Sequence, residues 1–269
     1  MKIKDFSDRI TRVFQEPERV KDKLELLRIS SIPRFTEFQT NILKYPIKGA
    51  DSASFVFMFD EIFKKEIYKF CSNSDRPFII DCGANIGLSI IYFKRLFPNS
   101  EILAFEPDRS IFRILEKNIS SFDFSGVKLL NQAVWDSATH LEFMSEGADG
   151  GRVVETDLKN LKKYQVEAIR IKDFLTKPVD LLKVDIEGAE TTVIQDCKER
   201  LHYVKNLFIE YHSFVNSPQT LHAITQILAD SGFRIHLHPS FSSPHPFIER
   251  LAASGMDMQV NIFAFREAG

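Results

Sequence analysis

The segment from Phe78 to Gly87, with the sequence FIIDCGANIG, constrains the fold more than any other part of this chain. A short apolar run ends in an acid and leads into two glycines four residues apart, after which the amphipathic run 88–97 begins. This order is typical of a strand, a tight turn and a helix. Glycine lets the backbone approach a ligand closely, and the first turn of a helix offers unpaired N–H groups to an anionic group.

A second acid, Glu106, ends the next apolar run and follows Gly87 by 19 residues. This is close to the spacing of about 20 residues at which a carboxylate on the second strand grips a ribose. An ionised carboxylate accepts hydrogen bonds from two hydroxyls at once, which suits a ribose diol. The dinucleotide pattern G-x-G-x-x-G would need glycine at Asn85 and Leu88. We therefore expect a nucleoside-type cofactor that is not a nicotinamide dinucleotide.

From Pro77 onward, strand-like and helix-like patterns alternate, which predicts an α/β fold with a mostly parallel sheet and helices on both faces. The final two strands are expected to form a hairpin, and the stretch 133–172 to hold short strands around a flexible loop at 146–151. The predicted strands are 78–81, 102–106, 127–131, 181–185, 207–211, 234–237 and 259–265, and the predicted helices are 61–70, 88–97, 110–119, 189–197 and 218–231.

Residues 1–50 are predicted to form a helical extension ahead of a domain that spans residues 51–269. We expect this extension to cover the active site or to contact a partner; the alternative is a pair of helices packed on the core. Two runs separated by Pro17 follow helical spacing, and their apolar residues are Phe6, Ile10, Val13 and Phe14, then Val20, Leu24 and Leu27.

Composition excludes several classes of protein. The net charge of −2 and the pI of about 6.4 give no excess basic charge for a nucleic-acid partner. The cysteines Cys71, Cys82 and Cys197 have neither disulfide-framework nor zinc spacing. The amino terminus lacks the apolar core of a signal peptide, and no apolar run approaches the roughly 18 residues of a membrane span. A cytoplasmic protein is predicted.

A second distinctive run, VDLLKVDIEGAE at 179–190, is an apolar strand followed by two acids and a glycine turn into a helix. In open α/β sheets, ligands bind outside the carboxyl ends of the strands. Asp185 and Glu187 follow this strand, and the next strand ends in Glu210, Tyr211 and His212. Asp185, Glu187 and His212 are therefore predicted to meet in one crevice and to carry the chemistry.

Together, FIIDCGANIGLS, DLLKVDIEGAE and LFIEYHSF resemble the FkbM family of S-adenosylmethionine-dependent methyltransferases, over about residues 77–265. The resemblance implies a Rossmann-like class I methyltransferase fold with a seven-stranded sheet. It also implies O-methylation of a hydroxyl on a sugar, glycan or natural-product-like small molecule, with S-adenosylmethionine as cofactor. The cofactor-binding residues that it implies are Asp81, Gly83, Ala84, Asn85, Gly87, Glu106, Pro107, Asn131, Ala133 and Asp185.

The chemistry leaves alternatives open. His212 is the expected general base, because histidine takes up a proton near neutral pH, and Asp185 and Glu187 are competing bases. A divalent metal, magnesium or manganese, held by these three residues and Glu210 is an alternative. N-methyl transfer and an inactive cofactor-binding module are the competing functions. His238 and His245 are expected near the acceptor, and assembly into a homo-oligomer stays open.

Overall fold

The computed structural model describes residues 17–145, 152–153, 162–249 and 255–266 of the 269-residue chain. The predicted helical run at 6–14 and the predicted flexible loop at 146–151 lie outside these residues. Within the described residues, no helix combines the length and the apolar character that crossing a membrane requires.

The elements follow one another in an order that alternates strand and helix from residue 78 onward. The helices are α1 (Pro17–Ser30), α2 (Ser52–Phe59), α3 (Leu88–Leu96), α4 (Arg109–Ser120), α5 (Glu190–Cys197) and α6 (Leu221–Asp230). The strands are β1 (Phe38–Thr40), β2 (Ile47–Gly49), β3 (Phe78–Cys82), β4 (Glu101–Phe105), β5 (Val127–Leu130), β6 (Ala133–Trp135), β7 (Thr139–Ser145), β8 (Arg152–Val153), β9 (Lys162–Arg170), β10 (Val179–Val184), β11 (Val204–Phe214), β12 (Arg234–Ser242) and β13 (Met256–Phe265).

The central sheet has seven strands in the order β12-β13-β11-β10-β3-β4-β5, which confirms the predicted mostly parallel sheet. β13 runs antiparallel to both neighbours, and the other neighbouring pairs are parallel. From β3 the chain builds outward through β4 and β5, and it then returns to build β10 and β11 on the other side. The order therefore reverses between β3 and β10, and a crevice opens at the carboxyl ends of strands at such a point.

Helices cover both faces of this sheet. Because side chains alternate along a strand, Ile79 and Ile80 belong to different apolar clusters. The cluster around Ile79 includes residues of α3 and α4, and the cluster around Ile80 includes residues of α5 and α6. The sheet is consequently fixed on both sides, and its strand ends offer rigid positions for functional groups.

The amino-terminal extension confirms one predicted helix, α1, but with a different buried face. Leu24 and Leu27, which were expected to pack, are 62% and 59% exposed, whereas Leu26 and Ile29 are buried. The antiparallel pair β1 and β2 that follows was not predicted. Leu26 and Ile29 belong to the same apolar cluster as Ile79, so the described part of the extension packs on the core. The boundary at residue 50 stays a prediction.

The predicted helix at 61–70 is wrong. The helix starts at Ser52 instead, because the buried carboxylate of Asp51 caps it by accepting from the Ser54 N–H at 2.9 Å. It continues as one π-helical turn, Asp60–Lys64, and Glu66 then adopts a left-handed φ of 52° that ends it.

The stretch after β5 forms a second, four-stranded sheet in the order β6-β9-β7-β8. β7 pairs antiparallel with β8 and β9, as expected for short antiparallel strands, whereas β6 runs parallel to β9. Ala133 and Phe143 of this sheet line the cavity described next, so the insertion contributes to the site.

Candidate active site

A cavity of about 490 Å³ opens at the carboxyl ends of β3, β4, β10 and β11. This volume lies within the range of about 300–1,000 Å³ that is usual for small-molecule and cofactor sites. Its wall joins two groups of residues. The loops after β3 and β4, with Gly83 and Glu106, form one wall, and the ends of β10 and β11, with Asp185 and His212, form the other.

The loop after β3 requires glycine at position 83. Gly83 has a φ of 87°, and a Cβ atom there would lie 1.8 Å from the carbonyl oxygen of Asp185. The N–H groups of Gly83 and Ala84 both donate to the Phe105 carbonyl, at 3.0 and 2.9 Å. The loop is therefore held tightly against the ends of both β4 and β10.

Glu106 is a buried carboxylate in the cavity wall. Its two oxygens accept from the backbone N–H groups of Asn85 and Asp108, at 2.9 and 2.8 Å. Burial raises the pKa of Glu106 to about 8, and the charge of Asp108 adds to the effect. A carboxylate oxygen carries two lone pairs, so each Glu106 oxygen keeps acceptor capacity for a further donor.

Three predicted cofactor residues lie behind the wall. Asp81 is fully buried and accepts from the Ser89 hydroxyl at 2.5 Å. Gly87 has a φ of 92°, and a Cβ there would lie 2.7 Å from the Leu115 side chain, so helix packing explains this glycine. Asn131 donates to the carbonyls of Glu106 and Pro107. The predicted cofactor residues that do line the cavity are Gly83, Ala84, Asn85, Glu106, Pro107, Ala133 and Asp185.

Lys183 contacts residues of both walls. Our sequence reasoning missed this residue. Its ammonium donates to the Gly83 carbonyl at 2.8 Å and lies 3.2 Å from Asp81 and 3.3 Å from Asp185. Burial opposes the charge, but these two carboxylates hold the pKa of Lys183 well above its usual value. A lysine inside the otherwise buried strand VDLLKV was the available signal, because buried lysines are almost always paired.

The opposite wall brings the predicted catalytic residues together. One donor atom from each of Asp185, Glu187 and His212 lies within 4.8 Å of the other two. The His212 Nε2 atom lies 3.6 Å from the Glu187 carboxylate and 3.9 Å from that of Glu210. Glu187 has a left-handed φ of 55°, which is uncommon outside glycine, asparagine and aspartate. The sequence prediction that strand ends place these residues in one crevice is confirmed as geometry.

The other ring nitrogen of His212 is fixed by a residue that was expected only to favour the helix dipole. Nδ1 lies 2.9 Å from the Glu190 carboxylate, and both side chains are about 1% exposed. The same Glu190 oxygen accepts from the Gly188 N–H at 2.9 Å. Glu190 therefore sets the orientation of the imidazole.

Charge accumulates on this wall. Burial opposes protonation of His212, but Glu187, Glu190 and Glu210 raise its pKa well above the usual value. Burial and the neighbouring Asp185 raise the pKa of the Glu210 carboxyl well above its usual range. Acidic side chains outnumber basic ones here, so a cation entering this part of the cavity is stabilised.

The amino-terminal extension and β12 close the cavity. Arg34 lines it, and its guanidinium lies 2.8 Å from the buried carboxylate of Asp51. On β12, the lining residues are Ser240 and Phe241. His238, which was expected near the acceptor, packs its ring 4.9 Å from Phe263 instead. His238 and His245 are not among the residues that line the cavity.

The seven-stranded sheet with one antiparallel strand and a cavity at its reversal point has the Rossmann-like topology of class I methyltransferases. The sequence model described as the methyltransferase FkbM domain matches residues 81–235. The chain belongs to the FkbM methyltransferase family, as its motifs predicted.

Two relatives and one solved structure are similar to this chain. The methyltransferase sdnD of Sordaria araneosa is 32% identical over 216 residues, which cover 66% of this chain and 82% of the relative. The 2-O-methyltransferase NoeI of Sinorhizobium fredii (strain NBRC 101917 / NGR234) is 28% identical over 156 residues, which cover 50% of this chain and 63% of the relative. The crystal structure of an FkbM methyltransferase from Methylobacillus flagellatus KT superposes with a TM-score of 0.48 at 17% identity, over 74% of this chain and 46% of that one.

Proposed function

We propose that this methyltransferase transfers the methyl group of S-adenosylmethionine to a hydroxyl of a sugar, glycan or natural-product-like small molecule. The observation that carries the proposal is the shared cavity, in which Glu106 faces the cluster of Asp185, Glu187 and His212. The name of the relative NoeI, a 2-O-methyltransferase, supports transfer to oxygen.

The wall formed by the β3 and β4 loops suits the cofactor. The free acceptor capacity of Glu106 matches the two hydroxyls of a ribose, and its two backbone hydrogen bonds hold it in place beforehand. Gly83 and Ala84 line the cavity beside it. S-adenosylmethionine would supply a methyl group bonded to a positively charged sulfur. When that bond breaks, the sulfur would be left as a neutral thioether.

The wall formed by the ends of β10 and β11 suits the acceptor. A hydroxyl is a poor nucleophile until its proton is removed. In the proposed reaction the acceptor oxygen bonds to the methyl carbon, the carbon–sulfur bond breaks with its electron pair on sulfur, and the hydroxyl proton passes to Asp185, Glu187 or His212. Positioning these groups beside the cofactor supplies much of the rate enhancement.

Methyl-labelled S-adenosylmethionine and a panel of hydroxylated sugars, glycans and small natural products test the proposal. The expected product carries the label on an oxygen, as shown by mass spectrometry and NMR. A matched acceptor in which that hydroxyl is replaced by hydrogen should remain unlabelled. Labelling confined to nitrogen, or equal labelling of the deoxygenated acceptor, would rule out the proposed O-methyl transfer.

A further inference from the structure

The ends of β10 and β11 present two carboxylates and an imidazole in a ligand-like arrangement. Asp185 and Glu187 are partly exposed to the cavity, whereas His212 is buried. Their donor atoms lie within 4.8 Å of one another, and His212 Nε2 lies 3.6 Å from a Glu187 oxygen. That distance is beyond a good hydrogen bond and within the range of an ion pair, so the two groups interact through charge.

The separations fit donors that share one ion. With bonds of about 2.1 Å in octahedral geometry, neighbouring ligand atoms lie about 3 Å apart and opposite ones about 4.2 Å apart. The measured distances of 3.6 Å to Glu187 and 3.9 Å to Glu210 fall between these values. The widest separation within the cluster, up to 4.8 Å, needs side-chain adjustments of only a few tenths of an ångström.

The orientation of His212 supplies an independent observation. Its Nδ1 is held at 2.9 Å by the buried Glu190 carboxylate, which can only accept a hydrogen bond when ionised. When the imidazole is neutral, as a metal ligand must be, the Nδ1–H tautomer leaves the Nε2 lone pair directed at the cluster, where the Gln259 amide lies at the outer hydrogen-bond limit of 3.5 Å. A carboxylate behind a histidine is the arrangement that fixes metal-ligating histidines in many proteins.

We propose that Asp185, Glu187 and His212 bind a divalent cation of the magnesium or manganese class, with Glu190 as a positioning residue behind His212. Two carboxylates and one imidazole favour these ions over calcium, which prefers oxygen ligands alone, and over soft metals, which prefer sulfur. Glu210, 3.9 Å from His212 Nε2, is placed to supply a further oxygen.

The role of the cation in catalysis rests on the proposed function, whereas the binding of the cation depends only on the three side chains. A divalent ion at this wall would lower the pKa of an acceptor hydroxyl that reaches it. It would thereby ease removal of the proton before the oxygen attacks the methyl carbon.

Manganese binding to the full chain, after treatment with EDTA and dialysis, tests the site directly. The EPR signal of free Mn²⁺ should decrease on addition of protein and saturate at one ion per chain. Glu187→Gln, which removes a ligand, should weaken binding by at least about tenfold. Absence of Mn²⁺ binding by the folded wild-type protein at millimolar concentrations would overturn the proposal.

Two further variants distinguish a specific cation-binding site from general attraction of cations to an acidic cavity. Glu61→Gln removes one negative charge from another residue that lines the cavity but lies outside the cluster, so Mn²⁺ affinity should change by less than about twofold. Glu190→Gln can donate to Nδ1 and so moves the histidine proton to Nε2; it should weaken Mn²⁺ binding roughly 10–100-fold. An equal loss in Glu61→Gln and Glu187→Gln would contradict a specific site.

The proposed cation site and the proposed function fail in different ways. If methyl transfer is undiminished in EDTA and the Mn²⁺ signal does not change on addition of protein, the proposed cation site is wrong, and the proposed methyl transfer is unaffected. Saturable Mn²⁺ binding that Glu187→Gln weakens supports the cation site even if every hydroxylated acceptor stays unlabelled. Circular dichroism of each variant confirms that the compared proteins are folded.

Discussion

The two walls of the cavity differ in the kind of contact that holds their polar groups. On the β3–β4 wall, each Glu106 oxygen accepts a backbone N–H at 2.8–2.9 Å, and the Gly83 loop is held by the Phe105 carbonyl. On the β10–β11 wall, the carboxylates of Glu187 and Glu210 stand 3.6 and 3.9 Å from His212 Nε2. Backbone hydrogen bonds hold the first wall, whereas the second wall gathers several acidic side chains around one imidazole.

The two walls therefore position their functional groups in different ways. Backbone groups at the β3–β4 wall are fixed by the sheet itself, so they can recognise a cofactor that is the same in every reaction cycle. Side chains at the β10–β11 wall are placed by contacts with other side chains, such as Glu190 to His212. Those contacts can be adapted to an acceptor, and we expect changes at the two walls to have separable effects.

The largest expected effect comes from Gly83→Ala. Its methyl group would occupy the position 1.8 Å from the Asp185 carbonyl at a φ of 87°, so both the loop and the end of β10 must move. The free energy of unfolding should fall by more than about 3 kcal/mol, as measured by urea denaturation. Gly255→Ala is the control: its φ is 81° with nothing within 4 Å, and it should cost only about 1–2 kcal/mol. Equal losses would show that the close approach is unimportant.

His212→Ala tests the other wall. Turnover should fall by roughly 10²–10⁴-fold, the range for losing a group that manages a proton, while calorimetry shows nearly unchanged cofactor affinity. His238→Ala is the matched control, because His238 packs on Phe263 away from the cavity, and its turnover should remain near the wild-type value. Near-normal turnover in both His212→Ala and Glu187→Ala would place the catalytic centre elsewhere.

A smaller effect is expected on the pH dependence of ribose binding. Burial raises the pKa of Glu106 to about 8, so the carboxyl is protonated at lower pH. Ribose hydroxyls donate to the ionised form. Methylthioadenosine has a ribose but no amino-acid group. As the pH is raised towards 8, its affinity should increase by up to about tenfold per pH unit, and above pH 8 it should stay constant. Glu106→Gln should bind weakly with a flat profile; a parallel rise in that variant would assign the pH effect to another group.

The smallest expected effect is that of Asn131→Ala. Asn131 lies behind the wall and supports the loop by donating to the Glu106 and Pro107 carbonyls, at 2.8 and 3.0 Å. Losing two neutral hydrogen bonds at this partly buried position should weaken cofactor binding about three- to tenfold, by calorimetry. A loss as large as that of a Glu106 variant would mean that Asn131 contacts the cofactor itself.

Much of the sheet could be predicted because its signals are local. Alternating apolar runs and glycine turns gave the seven strands, and Glu106 followed from its distance to Gly87. The helix proposed at 61–70 was wrong because Asp51, 10 residues earlier, caps the helix at Ser52. The unpredicted β1–β2 pair depends on contacts between short segments that carry little periodicity of their own.

The site was predictable in its position but not in its connections. Strand ends placed Asp185, Glu187 and His212 together, because parallel neighbours end at one edge. Lys183 was missed since its partner, the Gly83 carbonyl, lies 100 residues away in sequence. Glu190 was assigned to the helix dipole, and only the fold shows that its carboxylate holds His212.

Calorimetric titration with S-adenosylhomocysteine, on the wild type, Glu106→Ala and Glu187→Gln, tests the division between the walls most directly. The wild type should bind one molecule per chain. Above pH 8, where Glu106 is ionised, Glu106→Ala should lose at least about tenfold in affinity, because charge-assisted hydrogen bonds contribute about 1.5–3 kcal/mol each. Glu187→Gln should bind nearly as the wild type does. Unchanged affinity in Glu106→Ala, or absence of binding by the wild type alongside tight binding of NAD, would contradict the account.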